Sequence, residues 1–208
     1  MKILLINDYG TMTGGAEHIM IGLRDKLRQR GHDARLFASS ARPLDARSLA
    51  DYECFGTLSG LRTALQTFNP FALLKLHRIL QEFQPDCVQV SLCLTQLSPS
   101  ILLLLSQVPT VYLAQWQRAI CPTGFKLLPD NSPCKQRAGK VCLRTGCLGL
   151  VDWLLISLQN ALWQRWRSVF DRTVAVSDTL RSQLQDDGFA LDQVIHPGAS
   201  IRPLEKQF

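Results

Sequence analysis

Two adjacent glycines, Gly14 and Gly15, open an amphipathic segment shortly after a short apolar run, Lys2–Ile6. At a helix start, bare backbone N–H groups and the positive end of the helix dipole favour a phosphate or a carboxylate. The same pair can also do no more than turn a strand into a helix. Asn7 precedes it and Glu17 falls in the first helical turn, where a carboxylate complements the dipole. Gln115 and Ser177 each follow a later apolar run. Asn7, Glu17 and Ser177 are candidate ligand contacts, and Gly14 and Gly15 candidate contacts to a phosphate. The glycines Gly10, Gly14 and Gly15 do not make G-x-G-x-x-G, and the second apolar run ends in Ala38-Ser39 without an acid for a ribose. A nicotinamide enzyme is therefore not expected. A nucleotide switch is not expected either, because no phosphate-loop lysine is present.

Four cysteines, Cys121, Cys134, Cys142 and Cys147, fall in one stretch rich in Pro, Gly, Lys and Arg. Four thiolates could hold a tetrahedral zinc and staple a segment too polar to pack itself. No C-x2-C knuckle is present, so reduced, partly buried thiols are the expected state and structural zinc the alternative. Cys54, Cys87 and Cys93 lie in or near expected strands and read as packing residues.

The elements that must position these groups alternate. Lys2–Ile6 reads as a buried strand, followed by a helix with Ala16, Ile19, Met20, Leu23 and Leu27 at helical spacing and Gly31 at its stop. Ala34–Ala38 reads as the next strand, and 42–56 as irregular. Leu58–Phe68 and Pro70–Phe83 read as helices, Cys87–Val90 as a strand, Pro99–Gln107 as a short helix and Thr110–Leu113 as a strand. Residues 115–148 show no periodicity, which marks a functional or locally stapled loop. Leu150–Ser168 reads as a helix, Arg172–Val176 as a strand, Asp178–Asp187 as a helix capped by Ser177 and stopped by Gly188, and Gln193–His196 as a last strand. This is an α/β pattern, a doubly wound, mostly parallel, Rossmann-like sheet in a single domain over 1–208. In such a sheet ligands bind beyond the carboxyl ends of the strands, where the loops carrying Asn7, Gln115 and Ser177 emerge.

A chain of 208 residues with 46% hydrophobic and 19% charged residues suits one such domain. A formal charge of +6 suits anionic partners, although no nucleic-acid partner is expected. Asn7 and Asp8 interrupt the first apolar run where a secretory signal would continue, and the other apolar stretches are shorter than a bilayer span. The expected place is the cytoplasm, where seven cysteines stay reduced. Peripheral contact with the inner membrane face is one reading of the helix with Trp153, Trp163 and Trp166 beside Arg165 and Arg167. A core helix with a wide apolar face is the favoured one.

Gly14-Gly15-Ala16-Glu17, opening a helix that ends in Arg30-Gly31-His32-Asp33, resembles the start of family 4 glycosyltransferases of the GT-B fold. Cys121-Pro122-Thr123-Gly124, Ala175-Val176-Ser177 and Val194-Ile195-His196-Pro197-Gly198 match the family in the same order. The resemblance implies one half of a GT-B architecture, the N-terminal half that carries most of the acceptor pocket. It implies a retaining transfer from a nucleotide sugar to a saccharide or lipid-linked acceptor, with Gly14 and Gly15 near the donor diphosphate, Glu17 near the donor sugar, and Asn7, Glu17 and Ser177 as candidate contacts to the acceptor or sugar. The nucleotide pocket and a pair of glutamates belong to a C-terminal donor-binding domain. That domain is expected to be absent from this chain and supplied in cis or in trans, so the chain alone is expected to be inactive. No cofactor beyond the donor is implied. Two positions depart from the family. Gln115 holds the place of a histidine and is the candidate catalytic position, although a glutamine hydrogen-bonds without titrating. Pro197-Gly198-Ala199-Ser200 replaces Asn-Gly-x-Asp. These departures are what favours the alternative, a non-catalytic binding or regulatory module that keeps the fold.

Overall fold

A computed structural model describes residues 1–44 and 46–198. Seven strands form one sheet in the order β3-β2-β1-β4-β5-β6-β7. They are β1 Lys2–Tyr9, β2 Asp33–Ser39, β3 Tyr52–Cys54, β4 Cys87–Val90, β5 Thr110–Ala114, β6 Arg172–Ala175 and β7 Gln193–Val194, and every pair is parallel. The helices are α1 Gly15–Gln29, α2 Arg62–Thr67, α3 Pro70–Phe83, α4 Lys140–Arg144, α5 Leu150–Trp166 and α6 Asp178–Asp186.

The apolar run of β1 is continuous because the strand is covered on both faces. Leu4 and Ile6 join the core under α3, while Ile3 and Leu5 pack with Met20 and Ile21 of α1. The strand order reverses between β1 and β4, so the switch point of this doubly wound sheet lies at their carboxyl ends.

Asp8 clamps that point. Its Oδ1 accepts from the N–H groups of Gln96 (2.8 Å) and Leu97 (2.9 Å), and its Oδ2 from the N–H (2.9 Å) and hydroxyl (2.8 Å) of Thr95. Burial pushes the Asp8 carboxyl up, against the downward pull of these donors. Asp8→Ala would strand three N–H groups in a dry loop. The expected loss is about 3–5 kcal/mol of unfolding free energy in urea denaturation, and a loss below about 1 kcal/mol would show that the loop is held otherwise.

Several elements differ from the sequence expectation. Within 42–56, Tyr52–Cys54 forms β3, an edge strand in register with Phe37–Ser39. The helix expected over Leu58–Phe68 shortens to α2. The segment after Ser98 is a 3₁₀ helix over Pro99–Leu104 rather than an α-helix through Gln107. Ser98 sits at φ +70, which breaks the approach to a regular turn. The 115–148 loop contains a 3₁₀ turn at Gln117–Ala119, the helix α4 and an isolated bridge between Leu127 and Pro133. The last strand ends at Val194 rather than His196. Ala199 and Ser200 of the terminal motif lie outside the described residues.

In α1 the buried positions are Glu17, Met20, Ile21 and Arg24, a face rotated from the apolar one expected. Arg24 bonds to the carbonyl of Leu49 and pairs with Asp25 (2.9 Å) and Asp51 (3.7 Å), which secures the back of α1 to the 49–51 segment. Cys54 and Cys93 are in the core and Cys87 packs at the start of β4, as packing residues would.

Candidate functional site

At the carboxyl edge, the strand alternation sends one side chain from each of three neighbouring strands to the α1 face. Leu5 and Leu113 pack on the α1 side, and the Gln89 amide reaches Met20. Two residues beyond these, Asn7 within β1, Gln115 just past β5 and Ser91 just past β4 continue the same face. Asn7 is 0% and Ser91 1% exposed. Asn7 Nδ2 donates to the carbonyl of Tyr9 (2.9 Å) and to Oε1 of the buried Glu17 (3.4 Å).

In this row Asn7 Oδ1, Ser91 Oγ and both amide atoms of Gln115, and in the loop after β1 Thr11 Oγ1, are buried without a hydrogen-bond partner among the described residues. Buried polar groups are paired in the great majority of cases, and each one left alone costs about 1–3 kcal/mol. Several on one strand edge point to a polar ligand or to water that completes them.

The glycine pair borders this row. Gly14 has φ −160, extended backbone open to any residue, and no side chain caps α1. A Cβ on Gly15 would meet nothing within 4 Å, whereas one on Gly14 would come to 3.1 Å from Glu17 Oε2. Neither strain nor internal packing therefore requires glycine at 15. What its missing side chain leaves is free space at the N-terminus of a 15-residue helix.

Ser177 is placed differently. Its hydroxyl accepts from the N–H of Leu180 (3.2 Å) as the N-cap of α6, so its oxygen already serves the fold.

On the opposite face, Arg118 stands at a site that the sequence did not reveal. Its Nη2 donates to Gln66 Oε1 (3.1 Å), to the Leu94 carbonyl (3.4 Å) and to Gln159 Oε1 (3.5 Å), while its Nε is buried without a partner. Burial pulls its pKa down to about 10. It lines a cavity of about 370 Å³ with Arg62, Tyr9, Thr95, Trp116 and Phe125. A lone arginine in a loop carries no periodic signal, and its burial depends on α2 and α5 closing over it.

The Cys121-Pro122-Thr123-Gly124 turn supports this wall. Gly124 (φ +85) lies under Trp116, and a Cβ there would sit 2.1 Å from the indole. Burial raises the Cys121 thiol, but the Thr123 hydroxyl (3.3 Å) and the N–H groups of Lys126, Thr123 and Gly124 outweigh it and hold the thiol below its ordinary range. Cys134 reaches the Gln136 carbonyl (3.8 Å), Cys147 the Thr145 hydroxyl (3.3 Å), and Cys142 is buried in α4. Among the described residues, no three His, Cys, Asp or Glu side chains are placed to hold one metal ion.

The tryptophans of α5 are mostly internal. Trp163 is 1% exposed and packs with Tyr112, Phe170 and Phe189, and Trp153 Nε1 donates to the Gly139 carbonyl (3.0 Å). The exposed side of α5 instead carries Leu150, Val151, Leu154 and Leu158. No helix among the described residues is long and apolar enough to cross a membrane.

The family model for Glycosyltransferase Family 4 matches residues 13–201. The chain belongs to this family. The match begins one residue before the glycine pair and includes Glu17, Gln115, Ser177 and the four loop cysteines of this family 4 glycosyltransferase domain. No curated protein sequence matches it significantly. Among solved structures, UDP-GlcNAc 2-epimerase from Neisseria meningitidis bound to UDP-GlcNAc is similar over 94% of the domain and 45% of its own chain, at 15% identity and a TM-score of 0.50. The apo form of the lipopolysaccharide outer core galactosyltransferase WaaB is similar over 98% and 47%, at 14% identity and a TM-score of 0.49. A putative UDP-N-acetylglucosamine 2-epimerase from Listeria monocytogenes is similar over 90% and 42%, at 12% identity and 0.49. At these identities the likeness is one of fold, the Rossmann-like half of a GT-B architecture. The family 4 domain spans less than half the length of each of these structures.

Proposed function

We propose that this domain is the acceptor-binding half of a retaining glycosyltransferase that takes a sugar from a nucleotide sugar. The observation that carries the reading is the row of buried, unbonded polar atoms from Asn7, Ser91 and Gln115 beside the open glycine start of α1. An uncapped helix start offers N–H donors to the donor diphosphate, and the row offers donors and acceptors to sugar hydroxyls. Glu17 and Asn7 hold each other in place at the edge of that floor. The rest of the nucleotide pocket comes from a second domain, in cis or in trans.

Gln115 orients rather than titrates, since an amide does not take a proton near neutral pH. The exposed apolar side of α5 favours a lipid-linked acceptor reached at the cytoplasmic membrane face over a free saccharide. A non-catalytic module is the second reading, favoured by Gln115 standing where relatives carry a histidine.

A thermal-shift series of nucleotide sugars against the 208-residue chain tests the proposal. Weak, saturable stabilisation that needs both the diphosphate and the sugar is expected. Stabilisation by none of them, alone or with a donor domain added, would count against it.

A further inference from the structure

The Arg118 cavity is separate from the glycine-loop row, since Arg118 is held by Gln66 of α2 and Gln159 of α5 across the sheet from α1. An arginine buried among neutral partners is costly, because amide and carbonyl oxygens repay only part of its lost hydration. Here Nη2 has three such oxygens, Nε has none, and Nη1 makes no hydrogen bond among the described residues. No carboxylate forms an ion pair with Arg118 among the described residues, although the buried Asp8 carboxyl, committed to the N–H groups of Thr95, Gln96 and Leu97, lines a smaller interior pocket with it.

A second cation borders the Arg118 cavity. Arg62, the first residue of α2, is exposed and also has no ion pair among the described residues. After burial, the Asp8 carboxyl acts on Arg118 first and raises its pKa, while Arg62 acts against it, and an anion entering the cavity would meet both guanidinium groups. Among the described residues the one acid lining the wall is Asp152, exposed at the first turn of α5. Tyr9 Oη accepts from the Gln96 amide (3.3 Å), which leaves its own proton free to donate. Trp116 and Phe125, packed edge to face at 5.6 Å, give the cavity an aromatic wall for a sugar or chain attached to the anion.

We propose that this cavity binds a phosphate group carried by the acceptor. The inference rests on the transferase reading for the word acceptor, and on the cavity alone for the phosphate. Two guanidinium groups and a tyrosine hydroxyl line the cavity, and together they offer more donors than a carboxylate's two oxygens use and enough for the several oxygens of a phosphate. The volume of about 370 Å³ admits a phosphate with the first group bonded to it.

The test is calorimetric binding of glucose 1-phosphate, glucose and glucuronate to the 208-residue chain. Glucose 1-phosphate is expected to bind, glucose not to bind, and glucuronate to bind less tightly than the phosphate. Arg62→Gln, at an exposed position, should weaken glucose 1-phosphate by about tenfold or more through the loss of one charged contact. Arg118→Gln should abolish binding, and Arg62→Gln keeps the test decisive if that variant fails to fold. Equal binding of glucose, equal or tighter binding of glucuronate, or unchanged phosphate affinity in Arg62→Gln would overturn the proposal. A second arm separates the sources. Sedimentation with phosphatidylcholine vesicles only when they contain phosphatidic acid, lost in Arg62→Gln, identifies a lipid phosphate. Glucose 1-phosphate binding without that difference identifies a soluble one. Phosphate binding that survives while the assembled protein transfers no sugar would sink the transferase reading and leave the cavity's role standing.

Discussion

Gly15→Val in the assembled glycosyltransferase is expected to cut sugar transfer on the order of 100-fold, with the melting temperature of this domain unchanged. The expectation comes from two facts that are seldom found together. A Cβ at Gly15 would touch nothing in the domain itself, so the fold has no stake in the missing side chain. The position is nevertheless the first residue of α1, where a diphosphate would approach the bare N–H groups. A branched side chain would hold the phosphate off by about an ångström or more, and misplacement on that scale is what costs such factors. Steady-state transfer rates and a thermal melt check this together. Unaltered transfer would remove the glycine pair from the donor site, and a collapsed melt would show a structural role that the open space denies.

The second large effect concerns Gln115. Gln115→Ala is expected to lower transfer by about 10- to 100-fold in the assembled protein. Both amide atoms are buried and unbonded in this structure, so the ligand or an ordered water is their remaining partner. Removing the amide should also relieve a buried unsatisfied group, and the domain should be no less stable for the change. Gain or constancy of stability with loss of activity is the signature of a group kept for function. Gln115→His should retain transfer, because an imidazole still donates and accepts. An alanine variant as active as the parent would withdraw the role.

Much of the frame was legible because it obeys local rules. The runs Ile3–Ile6 of β1 and Val111–Ala114 of β5 are apolar on both faces, the mark of a covered parallel strand. Ser177 read as a cap and is one, and Gly31 and Gly188 read as helix stops and take φ of +82 and +81. What stayed hidden depends on partners far away in sequence. Strand β3 is three residues long and polar at its centre, so it exists only by pairing with β2. The buried face of α1 includes Glu17 and Arg24, which polarity places outside until Asn7 and the 49–51 segment supply their bonds. Asp8 reads as an ordinary loop acid, yet it organises a loop 87 residues away. Ser91 and Arg118 gain meaning only when β4 and the α2–α5 pair close around them. The candidate site was thus half visible: the glycine start and Gln115 from sequence, the row and the cavity from packing.

Turnover is the most direct test of the central claim, that this domain binds the acceptor and needs a donor-binding half for chemistry. The 208-residue chain should release no sugar from any nucleotide sugar at enzyme-like rates, while the same chain joined to or mixed with its donor-binding domain should transfer. Multiple turnover by the 208-residue chain alone would contradict the account.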